Sequence, residues 1–139
     1  MTIEEIMEMW GEDSHIEDTD LDNESLKIPN LHQKYLDIYS KEKRKMSDLD
    51  THWKVLFQQR WEVVISKNGK APDHNIRISK TELERHYVAA DEVLQKAEKI
   101  MNEQKGKVEY LKSVLSMIEN RSFHINNAIN WRKFVAGLG

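Results

Sequence analysis

Residues 83–118 read LERHYVAADEVLQKAEKIMNEQKGKVEYLKSVLSMI. Apolar side chains recur at Leu83, Tyr87, Ala90, Leu94, Ala97, Met101, Val108, Leu111, Leu115 and Ile118, at alternating intervals of four and three. That spacing keeps one stripe of a helix apolar over many turns and is the seam of a heptad-like helix. Gln104 fills the single polar slot, and the phase passes through Gly106 unchanged, so the helix is expected to continue there with a weak point. Ser79-Lys80-Thr81-Glu82 has the capping-box pattern and opens the helix; Asn120-Arg121-Ser122 ends it.

Working outward, the preceding segment repeats the pattern less cleanly. Tyr35, Tyr39, Met46, Leu49, Trp53, Leu56 and Val63 follow the same alternation, with Glu42 and Arg60 in the skipped places. Pro29 suits the first turn of this second long helix, which is expected to run to about Ser66. Lys67-Asn68-Gly69-Lys70-Ala71-Pro72-Asp73 is the strongest break in the chain. Val63-Val64-Ile65 and Ile76-Arg77-Ile78 flank it and fit either a small hairpin or helix ends. Beyond residue 120, Ser122 is a candidate cap for a short final helix carrying Phe123, Ile125, Ile129, Trp131 and Phe134, with Gly137 as its stop. Two long helices and a short one offer too little surface to cover both seams within one chain. The expected fold is all-α: long helices with heptad-like seams plus a short C-terminal helix, assembled into a ring-like homo-oligomer.

The N-terminal residues have a different character. Thr2 is placed to cap a short helix bearing Ile3, Ile6, Met7 and Trp10, too short to stand alone in water. Gly11 to Glu24 is acidic, with Ile16 and Leu21 as its apolar anchors, and reads as an extended linker. Residues 1–30 hold ten acidic side chains and one basic, a net of −9, whereas residues 31–139 hold fourteen and twenty, a net of +6. An acidic arm on a basic body points toward polyanion binding, or else is the uneven solvated charge of a helical protein. The expected division is an acidic arm with a short helix over 1–28, a helical body over 29–120 and an oligomerisation helix over 121–139.

Composition narrows the function. The 139-residue chain has no cysteine, which excludes disulfide and thiol chemistry, and only five glycines and two prolines, which disfavours a turn-rich β-protein. No apolar run reaches the roughly 20 residues that a bilayer span needs. Met1-Thr2-Ile3-Glu4-Glu5 lacks the basic start of a signal peptide. The six histidines are scattered, and the pairs Asp48/His52 and Glu82/His86 supply two ligands each, short of a metal site. Asn68-Gly69-Lys70 lacks the earlier glycine and following Ser/Thr of a phosphate loop. No catalytic grouping, metal or cofactor is expected.

A basic stretch with interleaved aromatics is the candidate binding site: Lys41, Lys43, Arg44 and Lys45, then Trp53, Lys54, Phe57, Arg60, Trp61, Lys67 and Lys70. Single-strand binders need cations for phosphates and flat rings for bases, each ring stacking for about 1–3 kcal/mol. Lys54, Phe57 and Trp61 fall on one helical stripe. The competing reading places Phe57 and Trp61 in the core and leaves the lysines as a solvated face, so that the chain is a structural coiled-coil scaffold without nucleic-acid binding.

The C-terminal run Arg121-Ser122-Phe123-His124-Ile125-Asn126-Asn127-Ala128-Ile129-Asn130-Trp131-Arg132-Lys133-Phe134-Val135-Ala136-Gly137 resembles the C-terminal signature of the UvsY family, the recombination mediators of T-even-like bacteriophages. Chain length, the acidic N-terminal region and the segment from Lys54 to Glu62 also fit that family. The resemblance implies binding to single-stranded DNA, to the phage single-strand-binding protein and to a RecA-like phage recombinase, in the cytoplasm of the infected bacterial host. It also implies rings of about six or seven subunits, assembled largely through the C-terminal region. The family's basic DNA-binding segment is matched by Val55 to Glu62. Arg60 falls on one of its basic positions, and Gln58 falls where a second basic residue is usual. Val63-Val64 stand where aromatics often occur, and the glycine comes late, at Gly69. With these matches the candidate DNA-binding residues are Lys43, Arg44, Lys54, Arg60, Trp61, Lys67 and Lys70, and the candidate oligomerisation residues are Phe123, Ile125, Ile129, Trp131 and Phe134.

Overall fold

A computed structural model describes the backbone of residues 1–68 and 87–138, with side chains for 1–62 and 87–138. The described residues form α1 (Ile3–Asp13), α2 (Leu21–Leu26), α3 (Ile28–Asn68), α4 (Glu92–Glu119) and α5 (Arg121–Val135). Residues 87–90 add a helical turn, and no strand occurs among the described residues. The chain divides into two compact units, one of residues 1–43 with 106–139 and one of residues 44–105.

In the first unit α1 is a core element. Thr2 and Glu5 close a reciprocal capping box, the Glu5 backbone N–H donating to the Thr2 hydroxyl at 3.2 Å and the Thr2 N–H to the Glu5 carboxylate at 3.0 Å. Ile6 and Trp10, one turn apart, are buried with Tyr35 of α3 and with Leu111, Val114, Leu115 and Ile118 of α4. Trp10 meets Tyr35 edge-to-face at 5.3 Å. A three-turn helix is marginal alone, and burying two large side chains, each a gain of about 1.5–3 kcal/mol, fixes it. The Tyr35 part of one seam and the Leu111–Ile118 part of the other are therefore covered within the chain, because α1 supplies apolar surface there.

Three local expectations are corrected. The acidic stretch from Gly11 to Glu24 is not an extended linker: α1 continues to Asp13, and α2 begins at Leu21, which is buried together with Glu24. The helix over 83–118 is not continuous, since α4 starts after Asp91, where a carboxylate accepts from the new helix's first N–H groups. Ser122 does not cap the last helix, because α4 and α5 are separated by Asn120 alone and Ser122 is already helical. Gly106 is passed without interruption, and Val63-Val64-Ile65 lie in α3, which excludes them from a hairpin strand. Ser79-Lys80-Thr81-Glu82 and Ile76-Arg77-Ile78 lie outside the described residues. Gly137 ends α5 as expected. With φ of 76° it lets the Leu138 N–H reach the Lys133 carbonyl at 2.8 Å, while its own N–H reaches Phe134 at 3.1 Å.

The charged places in the seam of α3 are explained by partners. Glu42 is buried and receives Lys107 at 3.4 Å. In the second unit Arg60 is bonded to Asp91.

Arg121 joins the elements around the end of α1. Its guanidinium is buried and donates to the carbonyls of Asp13 (3.1 Å), Ser14 (3.4 Å) and His15 (2.9 Å) and to the Glu24 carboxylate (3.2 Å). A cation over free carbonyls at a helix C-terminus satisfies acceptors that have no partner within the helix. Asp13 itself accepts from Lys34 at 2.6 Å and from the Tyr35 hydroxyl at 2.8 Å.

Candidate nucleic-acid interface

The second unit carries the aromatic part of the basic stretch. Steps of four along α3 bring Trp53, Phe57 and Trp61 to one face, with ring centroids 6.2 and 6.4 Å apart and the Phe57 and Trp61 planes within 9°. Tyr87 stands edge-on to Phe57 at 5.4 Å and to Trp61 at 5.0 Å. All four side chains are half-buried. The rings thus pack on one another and still present area to solvent, between the core and platform alternatives. The Tyr87 hydroxyl is buried without a hydrogen-bond partner among the described residues, and burial foremost, then the Asp91 charge, raises its pKa.

The cations differ in how firmly they are held. Lys54 is exposed and reaches only one turn back, to Asp50 at 3.1 Å. Such a surface pair is weak and screened by salt, so it yields readily to a phosphate. Arg60 is held harder: its Nε donates to Asp91 Oδ2 at 2.7 Å. The Arg60 side chain is 38% exposed and that of Asp91 only 6%. Asp91 Oδ1 accepts from the Val93 and Leu94 N–H groups at 2.9 and 3.2 Å, the bonds of an N-cap residue. Burial raises the Asp91 pKa, but the bonds from Arg60 and from the α4 backbone outweigh it and leave the carboxyl lowered. The Arg60 pKa is raised, chiefly by its hydrogen bond to Asp91. Arg60, Tyr87, Ala90, Asp91, Glu92 and Val93 line a pocket of about 530 Å³.

Of the remaining expected DNA contacts, Lys43 is exposed with its ammonium 5.6 Å from the Tyr39 ring centre, and Arg44 is exposed. Lys67 lies in α3 but its side chain, like the whole of Lys70, falls outside the described residues. Asp91 escaped the sequence reading. An Asp just ahead of an apolar run is an N-cap signal, but the unbroken phase of the seam across it concealed the boundary.

On α5 the expected oligomerisation residues separate. Phe123, Trp131 and Phe134 are 71%, 64% and 69% exposed, whereas Ile125 is buried in its own chain and Ile129 is half-covered. Trp131 and Phe134 stack at 5.7 Å. No helix among the described residues is long and apolar enough to cross a membrane.

Comparison with known proteins places the chain among all-helical recombination and repair proteins that bind single-stranded DNA. Residues 9–138 match the family model described as "Recombination, repair and ssDNA binding protein UvsY". The chain belongs to the UvsY family. Its fold is that of the bacteriophage T4 recombination mediator protein UvsY in two crystal forms. In lattice type II the TM-score is 0.78 at 23% identity over 98% of both chains. In lattice type IV it is 0.76 at 22% identity over 96% of this chain and 98% of that one. No curated protein sequence matches. The family description decides against the scaffold alternative.

Proposed function

We propose that this protein is a homo-oligomeric mediator that loads a RecA-like phage recombinase onto single-stranded DNA, helping it displace the phage single-strand-binding protein in the cytoplasm of the infected host. The observation that carries the reading is the pairing, in one compact unit of a UvsY-family chain, of displaceable or half-exposed cations (Lys54, Arg60) with a half-exposed ring ladder ending at Trp61. Cations give salt-dependent affinity for phosphates, and rings give base stacking indifferent to sequence. Exchange of one DNA-bound protein for another requires no bond chemistry, only different affinities for the free and coated strand.

The oligomer rests on the apolar face of α5. Phe123, Trp131 and Phe134, with Val135 and Leu138, are exposed together near the chain end, more apolar surface than an unpartnered helix carries. A ring of about six or seven subunits repeats a weak DNA site, and linked sites raise avidity by about 10²–10⁴.

The test is recombinase assembly on single-stranded DNA already coated with the single-strand-binding protein. The native chain should shorten the delay before filament growth. Lys54→Ala with Arg60→Ala, shown to remain an intact oligomer, should not. A double variant that binds oligo-dT with native affinity and salt slope places the DNA site elsewhere. Trp131→Glu with Phe134→Glu should sediment as a smaller particle; unchanged sedimentation removes α5 from the interface.

A further inference from the structure

Arg60 has three nitrogens, and the structure commits one of them. Nε is bonded to Asp91 Oδ2 at 2.7 Å, and among the described residues nothing accepts from the two terminal nitrogens. The Asp91 carboxylate is buried, with its other oxygen taken by the Val93 and Leu94 N–H groups, and Arg60 is the cation bonded to it. Two outcomes are open when a DNA phosphate arrives. Arg60 leaves Asp91 for the phosphate, making Asp91 a competitor, or Arg60 stays on Asp91 and meets the phosphate with its terminal nitrogens. Departure strands a buried carboxylate without its cation, a larger penalty than a solvent-screened phosphate contact returns. A guanidinium fork anchored at Nε still presents two donors in a fixed plane, the geometry that suits a phosphate.

We infer that Asp91 is the positioning residue of the DNA site: anchored as the N-cap of α4, it holds Arg60 by Nε and sets the plane in which the terminal nitrogens take a backbone phosphate. The inference rests on the reading that Arg60 contacts DNA. It makes the start of α4, rather than α3 alone, part of the site, and it gives the break in the long seam a purpose. An acidic residue here strengthens polyanion binding although its charge opposes it.

Two neutral substitutions separate positioning from charge. Asp91→Asn and Asp91→Ser both remove the carboxylate charge, and both side chains cap helices. Neither keeps the anchor: an Asn oxygen that caps α4 in place of Oδ1 leaves an amide NH2 facing the Arg60 Nε donor, and the short Ser hydroxyl cannot serve both. Affinity for oligo-dT is measured across salt concentrations on the full-length oligomer, with helicity and melting checked for each variant. Asp91→Asn should bind more weakly than the native protein, although it removes a charge that opposes DNA. Asp91→Ser should bind about tenfold more weakly, as expected for loss of one ordered charge-assisted contact, with the salt slope reduced by about 0.7 per phosphate released. In an Arg60→Ala background Asp91→Ser should add nothing. If Asp91→Ser binds as tightly as the native protein or more tightly while Arg60→Ala binds weakly, Asp91 is a bystander or competitor and the inference falls, with the DNA site standing. If Arg60→Ala itself binds natively, the DNA site and the inference fall together.

Discussion

Two arginines, each bonded to a buried carboxylate, divide the molecule by the use made of their remaining nitrogens. Arg121 at the start of α5 has both terminal nitrogens occupied, by Glu24 and by three carbonyls at the end of α1, and its side chain is 7% exposed. Arg60 in α3 has Nε occupied and 38% of its side chain in solvent. The first guanidinium is a structural clamp; the second has donors to offer. The type of residue and the type of partner are the same in both, so the difference lies in what else converges on the guanidinium. Three carbonyls converge at one, and half-exposed rings gather beside the other.

The largest loss is expected at Arg121. Arg121→Ala leaves Glu24 with the exposed Lys27 and the Asp13, Ser14 and His15 carbonyls without their donor, and should cost about 3–5 kcal/mol of stability, the usual cost of stripping one partner from a buried ionic cluster. Thermal unfolding measures it; an unchanged melting curve removes the clamp. Arg60→Ala should melt closer to the native protein than Arg121→Ala does, with its main loss in single-strand affinity and in salt slope.

Acid sharpens the same contrast. Glu24 has its pKa lowered, chiefly by the Lys27 hydrogen bond and then by Arg121. Burial alone raises that of Asp13, but bonds from Lys34 and Tyr35 outweigh it and the net direction is also down. A depressed folded-state pKa means stability that is complete above the ordinary carboxylate value and is lost as pH falls through the lower folded value. The native protein should therefore lose stability progressively below the ordinary values of 4.5 for Glu24 and 3.8 for Asp13. Arg121→Ala should lose less over that range. Denaturant melts at stepped pH decide it, and parallel pH curves for the two proteins would uncouple Arg121 from these carboxylates.

The smallest effect belongs to Lys54. Lys54→Ala should leave melting unchanged, because its Asp50 partner is exposed, and should lower the salt slope by about 0.7 for each phosphate it neutralises. A marked melting shift would mean that Lys54 is structural. Trp61 supplies an optical check: quenching of its fluorescence by poly-dT supports stacking on its open area, and no quenching leaves it a packing residue.

These tests favour point substitutions over truncation. Removing residues 121–139 takes away buried Arg121 and Ile125 along with the exposed apolar face, and removing residues 1–24 takes away Ile6 and Trp10 along with the acidic charge. Both deletions would confuse loss of the core with loss of an interface.

By itself the sequence determined the apolar stripes of the long helices. The alternation of four and three from Tyr35 to Leu56 and from Leu94 to Ile118 is a consequence of 3.6 residues per turn, and the buried or half-buried positions follow it. Thr2, Pro29 and Gly137 mark helix ends through local geometry, which needs no distant partner. The basic and aromatic side chains of α3 were legible for the same reason, since residues three and four apart share a face. Tertiary structure decided whatever depends on segments distant in sequence. Trp10 became core because Tyr35 and Leu111 meet it. Arg121 became a clamp because α1 ends beneath it. Asp91 ended one helix and began another while taking Arg60 from 31 residues away. No periodicity encodes such pairings: they depend on which helices the chain brings together, and burial then makes each buried charge find the partner that its solvation no longer supplies.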